Sequence, residues 1–222
     1  MHLPISPTLL IPLLGGLALS LFSWGKYALY PFRLLTTWVH ECCHCVAALL
    51  VGGQVSRITL APDTSGLTHF RLPVGRLRQG VVASAGYLGS SGVGCTLCWL
   101  SQRHWASPSA LLLSLGILIL FTLLVWVRGV FGFLVVATLG ASLIGLSRLP
   151  ARAHLEWIVT FIALQIATQA LFDLRMLFSL EARSRSDAHT MSKLFYLPAG
   201  FWATLWIGAS SALTFWTLRQ AG

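Results

Sequence analysis

Seven long apolar stretches recur along this chain, at about Pro7–Trp24, Leu34–Val51, Val81–Leu100, Ser109–Val127, Val130–Ser147, Trp157–Phe172 and Phe195–Leu218. A helix needs about 20 residues to cross the hydrocarbon of a bilayer. In lipid every backbone N–H and C=O must be satisfied within the protein, so apolar segments of this length fold as helices. Only 9% of the 222 residues are charged and 56% are hydrophobic, whereas a soluble domain carries about 25% charged residues. The expectation is an all-α polytopic membrane bundle of about seven helices, one multi-pass integral membrane domain over residues 1–222.

The net charge of +9 comes from basic residues scattered singly between apolar runs. The longest basic cluster, Arg183-Ser184-Arg185, is too small for a nucleic-acid surface, and positive charge beside a membrane accounts for the rest. The first 24 residues lack the basic start of a signal peptide and read as a retained span. Five cysteines, Cys42, Cys43, Cys45, Cys95 and Cys98, fall in apolar runs. An odd number so placed indicates reduced, packed thiols rather than a disulfide framework.

One apolar stretch carries chemistry. Residues 31–51 read as a helix containing His40-Glu41-Cys42-Cys43-His44, an H-E-x-x-H pattern. Positions four apart share a helix face, so His40 and His44 can direct two imidazoles at one metal ion, with Glu41 beside them as general base. Ionisable residues inside a membrane span are costly and mark functional sites. A catalytic zinc takes three protein ligands and keeps one position open. On the helix expected over 154–180, Gln165, Gln169 and Asp173 recur every four residues, a polar stripe ending in a carboxylate, and Asp173 is the best third ligand. Glu156 lies at the other end of that helix, while Asp63 and Asp187 sit in turn or cap contexts. With seven helices, the loops 52–80 and 174–193 share one side of the membrane, which places His44 and Asp173 at compatible depth.

Gly52-Gly53 stops the metal-motif helix. Polar and apolar residues then alternate over Gln54–Leu60, Pro62-Asp63-Thr64-Ser65-Gly66 supplies a turn, and Leu67–Arg71 returns, so a β-hairpin is expected over 54–71. Lipid tolerates no open strand edge, so this hairpin sits at the interface or lines a protein cavity, where its edge can accept an extended peptide. The third stretch has small residues four apart, Ala85/Gly89 and Gly86/Ser90, which permits close packing on the metal-motif helix. Ser186-Asp187 before Ala188-His189 has the pattern of a helix N-cap.

His40–His44 with Ala47–Gly53, the turn Pro62–Thr68, Ala85-Gly86-Tyr87-Leu88-Gly89, Asp173-Leu174-Arg175, Ser186-Asp187-Ala188 and the run from Pro198 to Trp202 together resemble the site-2 protease family of intramembrane zinc metallopeptidases. The similarity is to its compact branch, often called peptidase-family-fifty-B-like. The resemblance implies one Zn2+ per chain held by His40, His44 and Asp173, with Glu41 as general base of a metalloendopeptidase acting on transmembrane protein substrates. The chain departs from better-known members in having no asparagine, so another group must serve the oxyanion, and His69 is the candidate. Two rival functions use the same features: an inactive membrane scaffold of this fold, and a metal or proton transporter using Gln165, Gln169 and Asp173 as its path. Substrate-binding residues and oligomeric state are not specified by the sequence.

Overall fold

The computed structural model describes residues 7–150, 152–176 and 186–221; within 152–176, side chains are described for 154–168. The chain runs α1 (Pro7–Leu21), α2 (Gly25–Ala28), α3 (Tyr30–Leu50), β1 (Gln54–Leu60), β2 (Gly66–Arg71), α4 (Arg76–Gln102), α5 (Pro108–Val125), α6 (Val130–Ser147), α7 (Arg152–Met176), α8 (Asp187–Phe195) and α9 (Ala199–Ala221). It is an all-α bundle with a small antiparallel hairpin, as expected. Each of the seven apolar stretches coincides with a long helix, and α2 and α8 are short additions. Among the described residues, α4, α5 and α6 are long and apolar enough to cross a membrane, and shorter apolar segments lie at Pro7–Leu21 and His154–Thr168. The metal-motif helix falls outside that group because its histidines, glutamate and threonines lower its mean hydropathy.

Small residues decide how closely the helices approach. On α5 and α6, a Cβ on Gly116 would lie 2.9 Å from the Gly140 carbonyl oxygen, so the two helices joined through Arg128-Gly129 pack backbone to backbone. On α4, a Cβ on Gly89 would lie 2.7 Å from Cys43 Sγ, and one on Gly94 would lie 2.6 Å from the Ala163 carbonyl oxygen of α7. Helix α4 is thus wedged between α3 and α7. It also runs beside α9 in the same direction, with Tyr87 stacked on Trp206 at 5.4 Å and Cys95 Sγ 3.7 Å from Thr214 Oγ1. All five cysteines are free thiols.

The hairpin folds back along α3. Gly52, at φ +82°, reverses the chain after α3, in the left-handed region that glycine enters without penalty. Further along, Thr37 Oγ1 donates to the Thr64 carbonyl at 2.7 Å and Tyr30 Oη to the Pro62 carbonyl at 2.8 Å. The turn is therefore tied to the start of the same helix whose end launched β1. The outer edge of β1 is covered at Ile58, whose N–H donates to the Trp126 carbonyl at 2.8 Å and whose carbonyl accepts from Arg128 N–H at 2.9 Å. The hairpin accordingly lines protein on two sides, which satisfies the rule against open strand edges in lipid.

Candidate metal centre

His40 and His44 lie one turn apart on α3, with their Nε2 atoms 3.0 Å from each other. The carboxylate that meets them is Asp187, the first residue of α8. Its Oδ2 is 3.2 Å from His40 Nε2 and 3.3 Å from His44 Nε2. The sequence reading assigned this place to Asp173. The side chain of Asp173 lies outside the described residues; its backbone is in α7. Ser186 caps α8, its hydroxyl accepting from His189 N–H at 3.3 Å, and this cap fixes where the helix starts. The expected N-cap is therefore present, and the residue after it faces the histidines.

The donor set fits a zinc ion. A tetrahedral site with bonds of about 2.0–2.1 Å separates its ligand atoms by roughly 3.3 Å, close to the spacings among these three atoms. The His44 Nδ1–H donates to the Val82 carbonyl at 2.7 Å. A carbonyl can only accept, so this bond places the proton on Nδ1 and leaves the Nε2 lone pair for a metal. Burial would raise the Asp187 carboxyl, but the positive charge that the His44 and His40 imidazoles carry when protonated outweighs it and holds the group below the usual carboxylate range. It stays an anion, as a ligand must.

Two further elements close on this centre. A Cβ on Gly86 of α4 would collide with His40 Cε1 and Nε2 and come within 2.6 Å of His44 Nε2. Only glycine lets α4 lie over the imidazoles. At the next residue, the Tyr87 ring meets the His40 ring edge to face at 4.7 Å and stacks on Trp206, which fixes the plane of His40. The expected small-residue packing of α4 on α3 is thus part of the site.

Glu41 is buried, with 5% exposure. Thr68 of β2 donates its hydroxyl to Glu41 Oε2 at 2.7 Å, and a Cβ on Gly66 would lie 2.8 Å from Glu41 Oε1. Strand β2 therefore lies directly on the catalytic candidate. Thr68 pairs with Ile58, and Ile58 turns its backbone groups away from β2, toward residues 126–128. In an antiparallel ladder such opposed residues both face outward, so the N–H and C=O of Thr68 point to the free edge of β2. A cavity of about 610 Å³ runs along this edge, lined by Thr64–Thr68, Phe70, Leu72, Gln79, Tyr87, the two histidines, Glu41 and Asp187. His69 does not line it; its side chain borders a separate depression with Arg57 and Arg71, as strand alternation requires. The expected oxyanion role of His69 therefore has no geometric support.

The buried thiols have no part in the donor group, which among the described residues consists of His40, His44 and Asp187. Of the expected polar stripe, Gln165 is buried against Gly16 of α1, where a Cβ would collide with its amide. It serves the contact between α1 and α7.

Comparison with known proteins identifies a family. No curated protein and no solved structure matches the chain significantly. A family model described as Peptidase M50B-like matches residues 13–217, which takes in α3, the hairpin, α4 and α8 with every residue of the candidate centre. The chain belongs to the Peptidase M50B-like family, membrane-embedded peptidases related to the site-2 proteases.

Proposed function

We propose that this protein is a multi-pass intramembrane zinc metalloprotease that hydrolyses peptide bonds of transmembrane proteins, with Zn2+ held by His40, His44 and Asp187. The observation that carries this reading is the convergence of two histidine Nε2 atoms and the Asp187 carboxylate within 3.3 Å, beside a buried glutamate, at the edge of a strand. A zinc ion bound there supplies Lewis acidity that polarises a carbonyl and brings the acidity of water toward neutrality.

The residues supply the rest. Glu41 takes the proton from the attacking water and delivers it to the departing amine, as a general base and then a general acid. The Thr68 hydroxyl orients the Glu41 carboxylate through Oε2, and Gly66 leaves room over Oε1. A substrate helix keeps its carbonyls in internal hydrogen bonds and must unwind before attack. The outward N–H and C=O of Thr68 offer such a segment replacement partners by strand addition. Burial of Glu41, His44 and Thr68 keeps bulk water from competing for these groups.

The test compares the membrane proteomes of cells making the wild-type protein or Glu41→Gln at equal abundance. Fragments with new termini are expected with the wild type only. The same fragments with Glu41→Gln would remove Glu41 from the reaction.

A further inference from the structure

The two ends of the cavity differ in charge. At the hairpin turn, beyond Thr64 and Ser65, stands Asp63, whose carboxylate accepts from the hydroxyl of Ser65 at 2.6 Å and its N–H at 3.0 Å. At the other end, beyond Leu72 and Gln79, the exposed cations Arg76 and Arg78 occupy the first turn of α4 and exposed Lys193 lies in the last turn of α8, while Arg71, which closes β2, borders the separate depression with Arg57 and His69. No acidic residue occupies the first turn of α4, so the positive end of its dipole adds to the same field. Among the described residues, the carboxylates paired with a base are Asp187 with the two histidines and Glu156 with His104. None is paired with these four cations. Arg76 donates to Tyr196 Oη at 3.2 Å and lies over its ring, which pins it to the end of α8.

We propose that the substrate segment leaving the cavity past Leu72 and Gln79 toward α4 carries acidic residues, and that Arg78 and Lys193 select for them. The proposal rests on the reading that an extended peptide docks along β2. Such a peptide spans the cavity from the turn to the start of α4, so one flank meets Asp63 and the other meets the cations. Each exposed charge pair contributes little on its own and is screened by salt. Two together discriminate by a modest factor and act chiefly on encounter.

The test uses full-length Glu41→Gln protein in phosphatidylcholine nanodiscs and three dye-labelled peptides. All share one Val/Thr-rich extended core and end in three aspartates, three serines or three lysines. Binding is read by fluorescence anisotropy. The aspartate-tailed peptide is expected to bind about fivefold tighter than the serine-tailed one at low salt. The gap should close at high salt and in an Arg78→Gln/Lys193→Gln variant, and persist in Arg57→Gln, which alters the hairpin outside the cavity. Equal affinity for the three peptides overturns the proposal and leaves the docking mode standing. Failure of all three to bind overturns the docking mode and the proposal with it. Replacing part of the lipid with phosphatidylserine tests the other anionic source. If that lipid abolishes the preference, the cations serve the membrane surface, and the proposal falls.

Discussion

The Thr68 hydroxyl donates to the Glu41 carboxylate at 2.7 Å across the interface between β2 and α3. The same oxygen lies 3.1 Å from the Glu41 carbonyl, so a single side chain ties the strand edge to the metal-motif helix. Thr68→Val keeps the shape and removes this bond. A hydrogen bond to a charged group contributes about 1.5–3 kcal/mol, so kcat is expected to fall by about 10–100-fold with zinc content unchanged. Thr68→Ser should recover most of the rate. Equal rates for the two variants would show that the bond does not orient Glu41.

Gly86→Ala inserts a methyl group where His40 and His44 now lie against α4. The imidazoles must rotate or the helices must part, and zinc affinity is expected to drop by about 10–100-fold, the usual scale for displaced support of a ligand. Gly15→Ala, at a helical position with nothing within 4 Å, is the control and should alter stability by no more than about 1 kcal/mol. Competition with a chelator measures the zinc affinity of each variant, and thermal unfolding its stability.

Ser91 of α4 and Ser210 of α9 each bury a hydroxyl that has no hydrogen-bond partner among the described residues. Leaving a buried polar group unsatisfied costs about 1–3 kcal/mol, so Ser91→Ala and Ser210→Ala should each stabilise the protein by about 1 kcal/mol. Thermal unfolding in detergent checks this. A fall in Tm for either variant would indicate that its hydroxyl gains a partner in the membrane.

Much of the centre was legible because it is local. His40, Glu41 and His44 lie within two turns of one helix, and the helical repeat alone sets their faces. The hairpin was legible from Gly52-Gly53 and the turn residues, since backbone conformation there is a property of those side chains. The carboxylate that meets the histidines was not. Asp187 reaches the histidines through the packing of α8 on α4, where a Cβ on Gly80 would lie 2.8 Å from the Phe195 ring. No short-range pattern encodes such a contact. Ser186-Asp187 announced a helix start correctly, and that reading hid the second use of the carboxylate. Helix parity did bring the right loop to the histidines. Of the polar stripe, Gln165 answers to Gly16 of α1, a steric partner that periodicity cannot show, while the side chains of Gln169 and Asp173 lie outside the described residues.

The account stands on the metal centre, and its most direct test is the zinc content of the purified protein and two variants, by elemental mass spectrometry. The wild type is expected to hold about one zinc per chain, the number a single His, His and Asp donor set supports. Asp187→Asn, which keeps the shape and removes the anion, should lose most of it, while Asp173→Asn should retain it. Full zinc in Asp187→Asn together with loss in Asp173→Asn would contradict the centre described above and return the third position to α7.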